Sequence, residues 1–247
     1  MKAKTLVIIP AYNEARSIAG VVSGLNKRYP DIDVLVIDDG SQDGTAGLAQ
    51  VSGAKVLSHS FNMGYGVSLQ TGYKYAIREG FQYVVQMDGD GQHDPSDVIS
   101  LLENIKDSSC DIVFGSRFLG PNNYKASFYR MTGIRFFRLV LRLLSGQDIS
   151  DPTTGFQAMN RRVLELFAQD VFPYDYPDAD VIMLLSKLRF KMKEVPVSMN
   201  PKSGGKSMHG DPLNVIYYVF KMLLSMLMTK FRRHEIKEKA KEADICR

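Results

Sequence analysis

Short apolar runs alternate with longer amphipathic stretches through the first half of the chain. The runs 5–10 (TLVIIP), 33–38 (DVLVID), 55–58 (KVLS), 82–87 (QYVVQM) and 111–116 (DIVFGS) predict buried strands. The stretches 15–28, 43–51, 65–79 and 95–106 between them predict helices. Strands that alternate with helices at this spacing imply an α/β fold, a mostly parallel sheet with right-handed crossovers. Beyond residue 120 the pattern changes to a helix over about 126–145, a loop at 151–156 (DPTTGF), two further helices and a strand near 191–199 (KMKEVPVSM). No linker-like composition separates the halves, so one domain spanning 1–210 is expected.

Composition narrows the classes. The chain has 247 residues, of which 45% are hydrophobic, enough to fill a core of that size. The net charge is +4, and residues 230–247 hold seven Lys/Arg against four Asp/Glu. The body is therefore nearly neutral, which argues against a nucleic-acid surface and leaves the basic tail suited to anionic lipid. Two cysteines, Cys110 and Cys246, suggest neither a disulfide framework nor a zinc site, and fit a reducing compartment. Lys2 and Lys4 run directly into a short apolar strand, so no export signal is expected.

In parallel sheets of this kind ligands bind beyond the carboxyl ends of the strands. The unusual residues fall there: Pro10-Ala11-Tyr12-Asn13-Glu14, Asp38-Asp39-Gly40-Ser41 and Asp88-Gly89-Asp90-Gly91-Gln92. Two carboxylates separated by one glycine can converge on a hard divalent cation, Mg2+ or Mn2+, while the glycines admit a phosphate to the backbone. An isolated Asp-x-Asp is more often turn chemistry, but Gln92 and His93 follow at once and Asp94-Pro95 supplies a helix start. Ser41 and Asp43 read as turn and cap residues. Asp39 is placed where a carboxylate can accept hydrogen bonds from a base or ribose. Asn62-x-Gly64-x-Gly66 is a glycine turn entering a helix, weak as a signal on its own.

Six segments in order, PAYNE (10–14), DDGSQDGT (38–45), NMGYG (62–66), QMDGDGQHDP (86–95), GSRF (115–118) and DPTTGF (151–156), resemble the inverting GT-A glycosyltransferases of the dolichol-phosphate mannosyltransferase type, in glycosyltransferase family 2. The likeness covers about residues 5–210. It implies a Rossmann-like GT-A sheet and transfer of a sugar from a nucleotide sugar, by family frequency a UDP-sugar, to a polyprenyl phosphate such as undecaprenyl phosphate, with Mg2+ or Mn2+. Carried over by position, it makes Pro10, Tyr12, Glu14 and Asp39 the nucleotide set and Asp88, Asp90 and Gln92 the metal shell. It gives Arg117 and Arg130 contacts to phosphates, with Asp90 beside them at the reaction centre. Where relatives often carry Arg-x-x-Gly-x-Ser, this chain has Lys202-Ser203-Gly204-Gly205-Lys206-Ser207, so Lys202 supplies charge without the arginine fork. DPTTGF stands where the family has DPTSGF. Related transferases with hydroxyl acceptors place a base within Tyr174–Asp180, so Asp178 or Asp180 is the candidate. A phosphate acceptor is already anionic near neutral pH and needs positioning more than proton removal.

Two helices bear on the acceptor. In 213–232 the residues Asn214, Lys221, Ser225, Thr229 and Arg232 form a polar stripe about 80° wide that leaves a broad apolar face. Lys221 interrupts the run, so an interfacial helix (211–233) followed by a charged tail (234–247) is expected rather than a span. The helix near 129–144 sets Arg135, Arg138 and Arg142 among large apolar residues, and with the first it suggests a shared docking surface on the inner face of the cell membrane. A core or partner-binding helix is the bland alternative, and a small membrane partner protein is compatible with the family. Two other readings keep the fold: transfer to a saccharide or protein hydroxyl, and non-catalytic binding of nucleotide or membrane. A nucleotidyltransferase would need a glycine-rich basic loop where PAYNEA stands.

Overall fold

The computed structural model describes residues 4–107, 109–120, 128–173, 177–200 and 212–231, with the backbone alone at 128–130, 212–218 and 230. The described strands are β1 (Thr5–Ala11), β2 (Asp33–Asp38), β3 (Lys55–Ser58), β4 (Tyr83–Gln86), β5 (Ile112–Ser116), β6 (Gln157–Asn160) and β7 (Met192–Pro196). They form one sheet in the order β3-β2-β1-β4-β6-β5-β7. The pairs β1–β2, β1–β4, β2–β3 and β5–β7 are parallel. β6 runs antiparallel to both β4 and β5. The carboxyl ends of β1, β2, β4 and β5 therefore share one edge, the edge where the unusual loops lie.

The period of two in each strand divides the core between the sheet's faces. Leu6, Ile8, Leu35, Ile37, Val84 and Phe114 join one buried cluster. Val7, Ile9, Val34, Val36, Val85 and Val113 join the other. The second cluster is closed by α1 (Ile18–Arg28), α2 (Thr45–Val51) and α4 (Val98–Lys106). The first is closed by α3 (Tyr65–Arg78), α5 (Phe128–Ser145), α6 (Arg161–Phe167), α7 (Ala179–Lys187) and α8 (Pro212–Phe231). At Gly72 of α3 an added Cβ would stand 2.6 Å from Ile8 Cγ2, so the absence of a side chain there sets the approach of α3 to β1. Asp94 accepts from Ser96 N at 2.8 Å and Pro95 opens a short 3-10 turn, Pro95–Asp97, ahead of α4.

The predicted strands and helices recur with ends moved by a few residues. β6 is an addition: four residues carrying no apolar run, inserted after the DPTTGF loop. The strand expected over 191–199 is confined to Met192–Pro196, and the helix expected from 95 is split into the 3-10 turn and α4.

α8 is seated on α7 by specific contacts. Met222 and Met226 are buried, and beside them Ser225 donates to Asp180 and the Thr229 carbonyl accepts from the Lys187 ammonium, both partners lying on α7. The apolar side, with Phe220, Leu224, Leu227, Met228 and Phe231, is exposed. Next to α7 on another side, α5 buries Ile134, Phe137 and Leu141 and exposes Phe136, Leu139 and Leu143 together with Arg135, Arg138 and Arg142. No helix among the described residues is long and apolar enough to cross a membrane.

Candidate functional site

The loops after β1 and β2 are laced together. Asn13, in the left-handed region at φ 56°, donates its N–H to Ser41 Oγ (2.9 Å), and its Oδ1 accepts from Gln42 N (3.0 Å). Glu14 N donates to Thr45 Oγ1 (2.9 Å) and Ala15 N to Asp43 Oδ2 (3.1 Å). Tyr12 stands half exposed at the rim of this lattice. Pro10 is buried one residue before the end of β1, paired in register with Ile37. Ser17 Oγ bridges the Glu14 carboxylate (3.1 Å) and the Gly89 carbonyl (2.8 Å), and so ties this rim to the acidic turn.

Asp39 lies deeper than a simple ligand contact. It is 4% exposed, and its carboxylate accepts from Met63 N (2.9 Å) and Gly64 N (2.8 Å) and meets His59 Nδ1 at 2.7 Å. Its first structural role is to hold the NMGYG turn against the end of β2. Gly40, at φ +74°, lets this happen: a Cβ there would be 2.7 Å from the Phe61 carbonyl carbon.

Asp88 follows the end of β4. Its Oδ1 accepts from the Tyr65 hydroxyl (2.8 Å), and Oδ2 is 3.1 Å from His93 Nε2, which donates. Tyr65 in turn accepts from Gln86 Nε2 (3.1 Å), and Gln86 Oε1 accepts from the buried Tyr73 hydroxyl (2.6 Å). Burial raises the Asp88 pKa, but the His93 and Tyr65 hydrogen bonds and the nearby Arg117 charge outweigh it, so the carboxyl lies below its ordinary value. Burial, and then the Asp88 charge, push the Tyr65 hydroxyl far up, which keeps it a donor. Gly155 of the DPTTGF loop closes over this pair: an added Cβ would meet Asp88 Oδ2 at 2.9 Å and the Tyr65 hydroxyl at 2.9 Å. Asp90 Oδ1 accepts from Gln92 N (3.0 Å), and the Gln92 carbonyl accepts from Asn200 N (2.7 Å).

Among the described residues no three His, Cys, Asp or Glu side chains cluster as a ready-made metal site. The donor set nevertheless suits Mg2+ or Mn2+, which are held by one or two carboxylates with the remaining positions filled by substrate phosphates and water. Asp88, oriented by two donors, and Asp90, one glycine further along the same turn, are the carboxylates that would fit such an ion.

Arg117, expected at a phosphate, is engaged by Asp151 and is close enough to Asp88 for its charge to lower that carboxyl's pKa. It is 6% exposed and forms a two-pronged pair with Asp151, Nε to Oδ2 at 2.6 Å and Nη2 to Oδ1 at 2.5 Å, with Thr153 Oγ1 at 2.9 Å. A guanidinium fork matches a carboxylate this way, and the pair fastens the DPTTGF loop to the end of β5. Glu194 of β7 reinforces the loop through Ser150 N (2.8 Å), Ser150 Oγ (2.8 Å) and Asp151 N (3.1 Å). Thr154 Oγ1 donates to the Gly115 carbonyl (2.7 Å).

The two candidate bases separate. Asp180 is 2% exposed and accepts from Ser225 of α8. Asp178 is near enough to Tyr65 that its charge contributes to the raised Tyr65 pKa, after burial, Asp88 and Tyr73. Arg130 lies in the first turn of α5 with its side chain outside the described residues, and Lys202 with the whole KSGGKS run is outside them too. The backbone leading to that run, however, passes the site: His93 pairs with Met199, and Ser198 N donates to Asp97 Oδ2 (2.6 Å). Sequence reasoning did not single out Tyr65, Asp151 or Gly155. Tyr65 sits inside the quoted NMGYG segment, and the other two inside DPTTGF, but their partners are remote in sequence.

A mostly parallel sheet with one antiparallel strand, β6, set between β4 and β5 is a GT-A type of fold. The glucosyl-3-phosphoglycerate synthase of Mycobacterium tuberculosis superposes with a TM-score of 0.70 at 19% identity, over 94% of this chain and 80% of that one. The mannosyl-3-phosphoglycerate synthase of Rubrobacter xylanophilus does so at 0.67 and 18% identity, over 94% and 75%. The sequence model of Glycosyl transferase family 2 matches residues 6–167, and the chain belongs to that family. Among its relatives, the polyprenol monophosphomannose synthase of Mycolicibacterium smegmatis is 31% identical over 83% of this chain and 80% of its own. An undecaprenyl-phosphate mannosyltransferase of Micrococcus luteus is 29% identical over 83% and 86%. A UDP-N-acetylglucosamine–dolichyl-phosphate N-acetylglucosaminyltransferase of Methanococcus voltae is 28% identical over 77% and 83%.

Proposed function

We propose that this glycosyltransferase moves a sugar from a nucleoside diphosphate, UDP by preference, to a polyprenyl phosphate of the undecaprenyl kind on the cytoplasmic face of a membrane, inverting the anomeric centre. One observation carries the acceptor assignment: α8, held to α7 through Ser225 and Asp180, exposes large apolar residues, and α5, packed on the same α7, exposes arginines among apolar ones. That arrangement suits an anionic lipid surface. Relatives named for three polyprenyl-phosphate transfers support it. For the donor and metal, the glucosyl-3-phosphoglycerate synthase has been solved in complex with Mn2+ and UDP.

In this reading Pro10, Tyr12, Glu14 and Asp39 frame the nucleoside, Asp39 through the turn it holds. Asp88, Asp90 and Gln92 hold the cation. When bound, that ion neutralises the charge that grows on the departing diphosphate. Arg130 and Lys202 approach the phosphates, whereas Arg117 acts through Asp151 to keep Gly155 against Asp88. The acceptor phosphate oxygen attacks the anomeric carbon from the face opposite the diphosphate. Because that oxygen is already anionic, the protein's task is alignment. Mass spectrometry of products formed from a panel of nucleotide sugars, with undecaprenyl phosphate in vesicles, tests the assignment. A glycosylated lipid supports it, and exclusive transfer to saccharide or protein overturns it.

The position of Asp178 beside Tyr65 favours a second reading, a hydroxyl acceptor with Asp178 as base. Asp178→Asn then abolishes transfer while nucleotide binding persists; under the phosphate-acceptor reading it leaves transfer to the lipid largely intact.

A further inference from the structure

Asp180 joins two parts of the molecule that the mechanism treats separately. Its Oδ1 accepts the N–H of Asp178 (3.1 Å) and of Val181 (2.9 Å), so it sets the conformation of the turn that carries Asp178. Its Oδ2 accepts the Ser225 hydroxyl from the middle of α8. Two residues before it is Asp178, close enough to Tyr65, which donates to Asp88, for its charge to be felt at that hydroxyl. Around Ser225 on the same helix, Leu224, Leu227 and Met228 are exposed. A single buried carboxylate thus links the lipid-suited helix to the wall of the acidic site.

We propose that Asp180 is a positioning residue, by which seating of α8 on a lipid surface fixes the Asp178 turn beside Tyr65 and Asp88 and so aligns the acceptor for transfer. The inference rests on the membrane-surface reading above. The geometry favours this over a purely structural contact. An apolar pair would join α7 and α8 without the cost of burying a carboxylate, whereas Asp180 spends both oxygens on two different elements. Burial pushes its pKa up to about 6 against those donors, so the contact is held at a cost.

The test follows the amides that Asp180 fixes. Hydrogen exchange at Asp178 and Val181 is measured with and without vesicles of phosphatidylglycerol and phosphatidylethanolamine, in the full-length protein and in Ser225→Ala and Ser225→Thr. Vesicle binding by flotation is read in parallel. The expected result is slower exchange at both amides on vesicle addition in the wild type, loss of that protection in Ser225→Ala with flotation unchanged, and its return in Ser225→Thr, which keeps the hydroxyl. In transfer assays on vesicles Ser225→Ala lowers kcat by about tenfold or more, with the donor KM unchanged. Equal protection in wild type and Ser225→Ala overturns the inference, as does flotation without any protection in the wild type, and both outcomes leave the membrane reading standing. A wild type that fails to float removes the membrane reading and the inference with it.

Discussion

At the scale of single residues, the site is governed by how Asp88 is held. Tyr65 and His93 each donate to one of its oxygens, so its remaining lone pairs point in fixed directions before any ligand arrives. Outer partners of this kind set the orientation of a metal-ligating carboxylate, and losing one costs about 10–100-fold in metal affinity or activity. Tyr65→Phe is expected to weaken Mn2+·UDP binding by about that factor in calorimetric titration. It also leaves the buried Gln86 amide without its acceptor, at a cost of about 1–3 kcal/mol in denaturant unfolding. Gly155→Ala is a stricter test. Its Cβ would lie 2.9 Å from Asp88 Oδ2, so the carboxylate or the DPTTGF loop must shift. Displacement of a reacting group by about 1 Å costs about 10²-fold, and steady-state transfer rates are expected to fall by that much while circular dichroism stays native. The acidic turn was legible from sequence because its residue types announce their chemistry. The roles of Tyr65 and Gly155 were not, since a tyrosine and a glycine acquire meaning only from a carboxylate that the fold brings to them.

At the scale of elements, the buried Arg117–Asp151 pair decides whether the DPTTGF loop stays seated. Asp151 is fully buried and Arg117 nearly so. Removing one partner of such a pair strands the other charge and costs about 3–5 kcal/mol. Asp151→Asn is expected to lower unfolding free energy by that amount in urea, and to reduce activity further because Gly155 is no longer held over Asp88. A second element-level prediction concerns α7 and α8. The folded pKa of Asp180, about 6, exceeds its ordinary value of 3.8, so between those values the native state binds the extra proton. Its contribution to stability therefore grows as pH falls from 7 towards 4, by about 3 kcal/mol in all. Asp180→Asn is expected to flatten that part of the stability–pH curve, read from urea midpoints at stepped pH. The strands and helices of the parallel half were legible because buried strands read as apolar runs between amphipathic stretches. β6 was not, because its four residues pair on both sides with β4 and β5 and owe their strand conformation to those neighbours. The sequence also showed the two-sided character of α8 but not the contacts that seat it, which Asp180 and Lys187 supply from α7.

At the scale of the whole molecule, α5 and α8 pack on α7 and carry apolar residues on the outside. Leu143 is 75% exposed and Phe231 76%, with Arg135 and Arg142 exposed on α5. Water is a poor environment for such a face, and transfer of a large apolar side chain into hydrocarbon returns about 1.5–3 kcal/mol. The arginines add about 1 kcal/mol each near an anionic leaflet, a contribution that falls away beyond the Debye length. Two consequences separate lipid docking from packing against a protein partner. Leu143→Glu combined with Phe231→Glu removes two insertions and adds two like charges to the anionic surface, so flotation with phosphatidylglycerol vesicles is expected to fall by at least about 10²-fold in partition coefficient. Because both side chains lie outside the core, stability changes by no more than about 0.5 kcal/mol for each. Raising salt to 1 M weakens binding of the wild type without abolishing it, since the apolar term survives screening. Full retention of flotation by the double variant would mean that these faces do not meet lipid, and the acceptor would then have to reach the acidic turn from solution.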